Sequence, residues 1–176
     1  MAICNLNQNL LKSRPCQYWL PQVVDIYLAN FDEVSAMTVT ADTAGCATLT
    51  AITMTTGTSK FYHIQPVSGS ASFENTLVVD DSGAKYRNAS LTFNVDGAYD
   101  GCKVAALDAL SLGRYIAVVK LGDGTYIALN RLTPIEAETV TLSGGESNGF
   151  QVTLSGNTAE SPVPLSTEAI AVVEGN

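Results

Sequence analysis

The chain has 176 residues, enough for one domain with a sizeable core, and 46% of them are hydrophobic while only 15% are charged. Nine Lys and Arg against seventeen Asp and Glu leave a net charge of −8, which argues against a protein that grips nucleic-acid phosphates. Four cysteines, Cys4, Cys16, Cys46 and Cys102, include no close CxxC pair, so they suit free thiols in a reducing compartment better than a zinc site or a disulfide scaffold.

Residues 1–21 are rich in Asn, Gln and Leu, broken by Pro15 and Pro21, and are expected to form an N-terminal arm. The arm holds the sole tryptophan, Trp19, which either packs on its own domain or inserts into a neighbour. It lacks a continuous apolar stretch after a basic start, so no signal peptide is expected, and no run reaches the eighteen apolar residues of a membrane span. A cytoplasmic site of synthesis follows as the expectation.

Val23 to Ala29 predicts a first strand, apolar on both faces and therefore central, ended by a turn at Asn30-Phe31-Asp32. Thr-rich strands are expected at 36–41 and 46–54, then one at 60–67 that Pro66 confines to an edge or bulge. The clearest pattern lies in the stretch 60–95. Two alternating runs, GSASFENTLVV and KYRNASLTFNV, flank Asp80-Asp81-Ser82-Gly83, a tetrapeptide of turn-forming residues, and so predict a long hairpin. In the second run Leu91, Phe93 and Val95 share one face and Ser90, Thr92 and Asn94 the other, the period of a half-buried strand.

The period then changes. Residues 99–112 place Val104, Leu107 and Leu110 at helical spacing ahead of Gly113, predicting the one helix of the chain. RYIAVVKL and TYIALN flank Gly122-Asp123-Gly124 as a second hairpin, and strands follow at 140–142 and 150–154. Residues 157–176 are expected to be a C-terminal tail, extended or forming a further strand. The sum is mainly β: an antiparallel β-sandwich or barrel over 22–156 with one flanking α-helix, an extended arm and a tail.

Chemistry-bearing groups are scarce. His63 is the single histidine and lies in a strand, with no GxSxG motif to supply a nucleophile beside it. The Gly-rich segment 143–149 lacks a phosphate-loop lysine, and Asp80, Asp81 and Asp123 lack EF-hand spacing. No enzyme, metal or cofactor is expected.

The order of VVDIYLANFDEV, KFYHIQPVSGSASFENTLVVDDSGAKYRNASLTFNV, the helix, RYIAVVKLGDGTYIALN and NGFQVTLSGNTAESPVPL resembles small virion structural proteins of tailed bacteriophages, especially those of Bacteroidetes hosts. In the arm, Gln17-Tyr18-Trp19-Leu20-Pro21 stands where that pattern usually has a Gly-rich segment. The resemblance implies a tail-tube-like protein of the virion tail, assembled in the host bacterial cytoplasm. Its copies would form rings, often hexameric, that stack among other virion proteins into a conduit through which DNA passes without specific binding. On this reading Trp19 and the hairpin tip, Asp80, Asp81, Ser82 and Gly83, are candidate contacts between subunits. A head decoration or head-to-tail connector protein is the alternative within the virion, and a carbohydrate- or receptor-binding β-sandwich the alternative outside it.

Overall fold

A computed structural model describes residues 22–96, 101–143 and 149–175. The predicted arm, with Trp19, lies outside the described residues. The element order is β1 (Val23–Asn30), a 3-10 turn (Phe31–Glu33), β2 (Val34–Ala41), β3 (Ala47–Met54), β4 (Tyr62–Ile64), β5 (Ser72–Val79) and β6 (Lys85–Asp96). There follow α1 (Gly101–Leu112), β7 (Arg114–Leu121), β8 (Tyr126–Leu129), β9 (Ile135–Ser143), β10 (Gly149–Thr158), β11 (Val163–Pro164) and α2 (Thr167–Glu174). The fold is a mainly β, antiparallel sandwich or barrel with flanking helices, as the alternation predicts.

Nine strands form one continuous sheet that bends into two layers. One layer runs β11-β8-β7-β1-β4 and the other β9-β10-β6-β5, joined where Arg114 and Tyr115 of β7 pair with Glu136 and Ile135 of β9. The hairpin β2-β3 is a separate two-stranded sheet. At the bend, Gly156 of β10 has no room for a side chain: a Cβ there would lie 2.6 Å from the Pro134 carbonyl oxygen and 2.8 Å from Asn130 Nδ2.

The apolar character of β1 and β7 on both faces has a direct consequence in packing. Ile26, Leu28, Ala117 and Val119 face the β9-β10-β6 layer, where Leu91, Phe93, Val152, Leu154 and Leu107 of α1 complete one core. Tyr27, Ala29 and Val118 face the other way, against Leu49 and Ile52 of β3, Phe61, and Ala169 and Val173 of α2. The central layer is thus covered on both sides. Phe93 is fully buried, and truncating a side chain of that size to Ala typically costs about 3–5 kcal/mol.

Three expectations shift. In the stretch 60–95 the hairpin arms are β5 and β6, whereas the segment near Lys60 contributes only the three-residue β4, which pairs with β1 as an edge. Strands β9 and β10 run well past the apolar runs that mark them, because the polar residues Ser155–Thr158 still pair with 87–90 of β6. Of the predicted tail 157–176, the described part, residues 157–175, is not an extended tail. It completes β10, adds β11 beside β8, and forms α2, whose N-cap Ser166 accepts from the Ala169 amide and whose Ala169 and Val173, four apart, are buried.

Candidate functional site

The turn at the tip of β5-β6 is built from its own side chains. Asp80 N–H donates to the Ala84 carbonyl (3.0 Å) and Gly83 N–H to the Asp80 carbonyl (2.9 Å), closing a three-residue loop with Gly83 at φ +82°. One carboxylate oxygen of Asp80 accepts from the Ser82 hydroxyl (2.6 Å) and amide (2.9 Å) and from the Ala84 amide (3.0 Å). The Ser82 hydroxyl, followed by the backbone amides of Ala84, Ser82 and Gly83, holds this carboxyl below the usual range. Asp42 repeats the device in the β2-β3 turn: its Oδ1 accepts from the Ala44 and Cys46 amides, with Gly45 at φ +81°.

Asp80, Ser82 and Gly83 therefore shape the tip, and Asp81 is exposed on it. What the tip offers a neighbour lies just behind the turn. Leu77 and Val79 on β5 are 53% and 56% exposed and pair in register with Arg87 and Lys85 of β6, so these side chains share the face that carries Phe73 and Leu91. β5 is the terminal strand of its layer, so its outer backbone edge has no strand beside it among the described residues.

The outer face of the same layer follows from the strand register. Its cross-strand rows are Ser72-Thr92-Thr153-Thr139, Glu74-Ser90-Ser155-Glu136 and Thr76-Asn88-Asn157, continued by Asn94-Gln151-Thr141. Thr92 and Thr153 hydroxyls meet at 3.2 Å, and Asn88 donates to Asn157 at 2.9 Å. Among the described residues no Lys or Arg lies on these rows. The result is a broad hydroxyl and amide surface whose charged groups on these rows are acidic, bordered at the hairpin end by Val78 and Tyr86.

A second constellation, which the sequence reading reached only through His63, lies on the opposite side of the molecule's central layer. His63 Nε2 is 2.8 Å from Asp25 Oδ1, and its ring stacks on Tyr27 at 4.7 Å between centroids. Lys120 Nζ sits 4.0 Å from Asp25, 3.4 Å from Glu174, and 5.0 Å from the centre of the Tyr126 ring. The Tyr126 hydroxyl donates to Glu174. Burial, then the neighbouring Tyr126, Asp25 and Glu174, push Tyr27 up to about 12. Burial, then the bond to Glu174, push Tyr126 up to about 12. The Tyr126 hydroxyl, with Lys120 beside it, holds Glu174 below its usual range.

This arrangement is a clamp. Phenols that stay protonated to about pH 12 are poor bases near neutrality, and their partners are mutually satisfied. Its effect is to tie the last turn of α2 to β1, β7 and β8. Among the described residues no group of three or more His, Cys, Asp or Glu is placed to hold a metal ion. No helix among them is long and apolar enough to cross a membrane. The chain matches no protein-family model, and no curated protein or solved structure shows significant similarity to it.

Proposed function

We propose that the chain is a self-assembling structural subunit of a tailed-phage virion, a tail-tube or tail-ring protein whose copies close into rings that stack into a conduit for DNA. The observation that carries the reading is the outer face of β9-β10-β6-β5, a hydroxyl and amide sheet without Lys or Arg among the described residues, ending in the unpaired edge of β5. DNA is held on proteins mainly by cationic contacts with its phosphates, so a conduit lined by such a face lets it slide. An open strand edge with Leu77 and Val79 exposed invites pairing with another chain, and a ring joins every such edge to a neighbouring copy. The contact is heterologous, since a two-fold pairing would close a dimer and stop.

In this role the partners are copies of the chain and other virion proteins, and the site of action is the virion tail after assembly in the host cytoplasm. Negative-stain electron microscopy of the purified full chain tests the proposal. Rings or tubes with a central channel are expected across micromolar concentrations. A protein that remains monomeric by sedimentation, together with its absence from the tail in a virion density map, would overturn it.

A further inference from the structure

Where the two layers diverge at β4, the main core is left open. A cleft of about 260 Å³ lies there between β4, β6 and α1, walled by Ile64, Phe93, Val95, Leu107 and Leu110, with Ala106 exposed on its lip. Ile64, Val95 and Leu110 are only partly buried although they pack against the core. Helix α1 has one buried residue, Leu107, which is still 8% exposed, and so covers this end incompletely. An apolar cleft that adjoins a folded core is a place for one more large apolar side chain.

The geometry points to Trp19 of the same chain as the occupant of this cleft. The described chain begins at Gln22, which lines a neighbouring cleft together with Gln65, and Gln65 also walls the apolar one. The two clefts therefore share a rim. Trp19 is three residues before Gln22, within about 10 Å of extended chain, before the length of the indole is counted. A tryptophan buries roughly 150–250 Å² and seeks an acceptor for its N–H, and Gln65, one of the residues on the rim, is of a type that carries one in its side chain. No other tryptophan competes for the position. The docking stands independently of the virion role, because it uses only one chain.

Trp19 is also its own reporter. In the full-length protein its emission is expected to be blue-shifted from that of the urea-unfolded chain, with acrylamide quenching several-fold weaker. Ala106→Arg, at an exposed lip position, should shift the emission to that of the unfolded chain while far-UV circular dichroism stays unchanged. Ala105→Arg, exposed on the same helix but off the cleft, should leave it as in the parent. As a second measurement, Trp19→Ala should speed amide hydrogen exchange in residues 101–112 several-fold. Parent emission equal to that of the unfolded chain would overturn the proposal, as would an unaltered emission in folded Ala106→Arg. A blue shift lost on dilution in step with dissociation would assign the cleft to a second copy's arm and would likewise overturn docking within one chain.

Discussion

The Tyr126 hydroxyl in β8 donates a hydrogen bond to Glu174 at the C-terminal end of α2, joining residues 48 apart in sequence. The same carboxylate lies 3.4 Å from Lys120. Because these partners favour the ionised form, the folded chain holds Glu174 below its ordinary value of 4.5. The stabilisation is therefore whole above about pH 4.5 and is lost as pH falls through the lower folded value.

Glu174→Gln should flatten the acid limb of the stability curve. The side chain is 44% exposed, so solvent screens the interaction, and near neutrality the loss should be about 0.5 kcal/mol, or roughly 1–2 °C in Tm. Thermal melts of both proteins between pH 3 and pH 7 check this; parallel curves throughout would show that the bond carries no linkage.

At the alkaline end the sign reverses. Tyr27 and Tyr126 keep their protons in the folded chain to about pH 12, against an ordinary phenol value of 10.0. Between pH 10 and 12 the unfolded chain binds fewer protons than the folded one, so stability must fall as pH rises through that window. Ultraviolet titration should show Tyr27 and Tyr126 ionising late, beside Tyr115, which burial also pushes up. Tyr126→Phe should remove one late step and give a shallower loss of stability.

The hairpin tip predicts a separation of backbone from side-chain effects. At Gly83 a Cβ would meet no atom within 4 Å, so Gly83→Ala costs only the left-handed conformation at φ +82°, about 1 kcal/mol. Asp80→Ala removes the acceptor for three hydrogen bonds and should loosen the tip, seen as faster amide exchange at Ser82 and Ala84. Equal melting temperatures for Gly83→Ala and the parent would remove the strain argument.

For assembly, Leu77→Glu combined with Val79→Glu is the informative change, since each new carboxylate lies across from a cation, Arg87 or Lys85, within the hairpin. Both side chains are more than half exposed, so the monomer should keep its melting temperature within about 2–4 °C, since such surface changes are usually within ±0.5 kcal/mol each. Rings or tubes should be lost, because charge on an open edge opposes strand addition. Intact tubes from this variant would take β5 out of the interface.

Strands with two apolar faces were readable from their residues. Val23–Ala29 announces a layer covered on both sides, while Arg114–Leu121 reads only as a hairpin arm, and β1 and β7 sit between the two cores. Strand β9 was underestimated because only Ile135 among its nine residues is fully buried; pairing with β10, not burial, holds Glu136–Thr139 in the sheet. Helix α2 escaped because eight residues show barely two turns of period. Its signals were Ser166 as a cap, Glu168 in the first turn, and the spacing of Ala169 and Val173. The clamp was invisible for another reason: Asp25, His63, Lys120 and Glu174 come from four distant segments, and only the fold makes them neighbours.

The layer β9-β10-β6-β5 contains an even number of strands, each antiparallel to the next. Its two outermost strands consequently point in opposite directions. A copy related by simple rotation would set the part of its β9 beyond the Ile135 and Glu136 that pair with β7 against β5 with the polarity of an ordinary antiparallel pair, and the up-down alternation would pass the junction unbroken. With an odd count, the same rotation would force a parallel seam at every joint. Parity alone makes this layer a unit that can be repeated around a circle without a change of pairing rule.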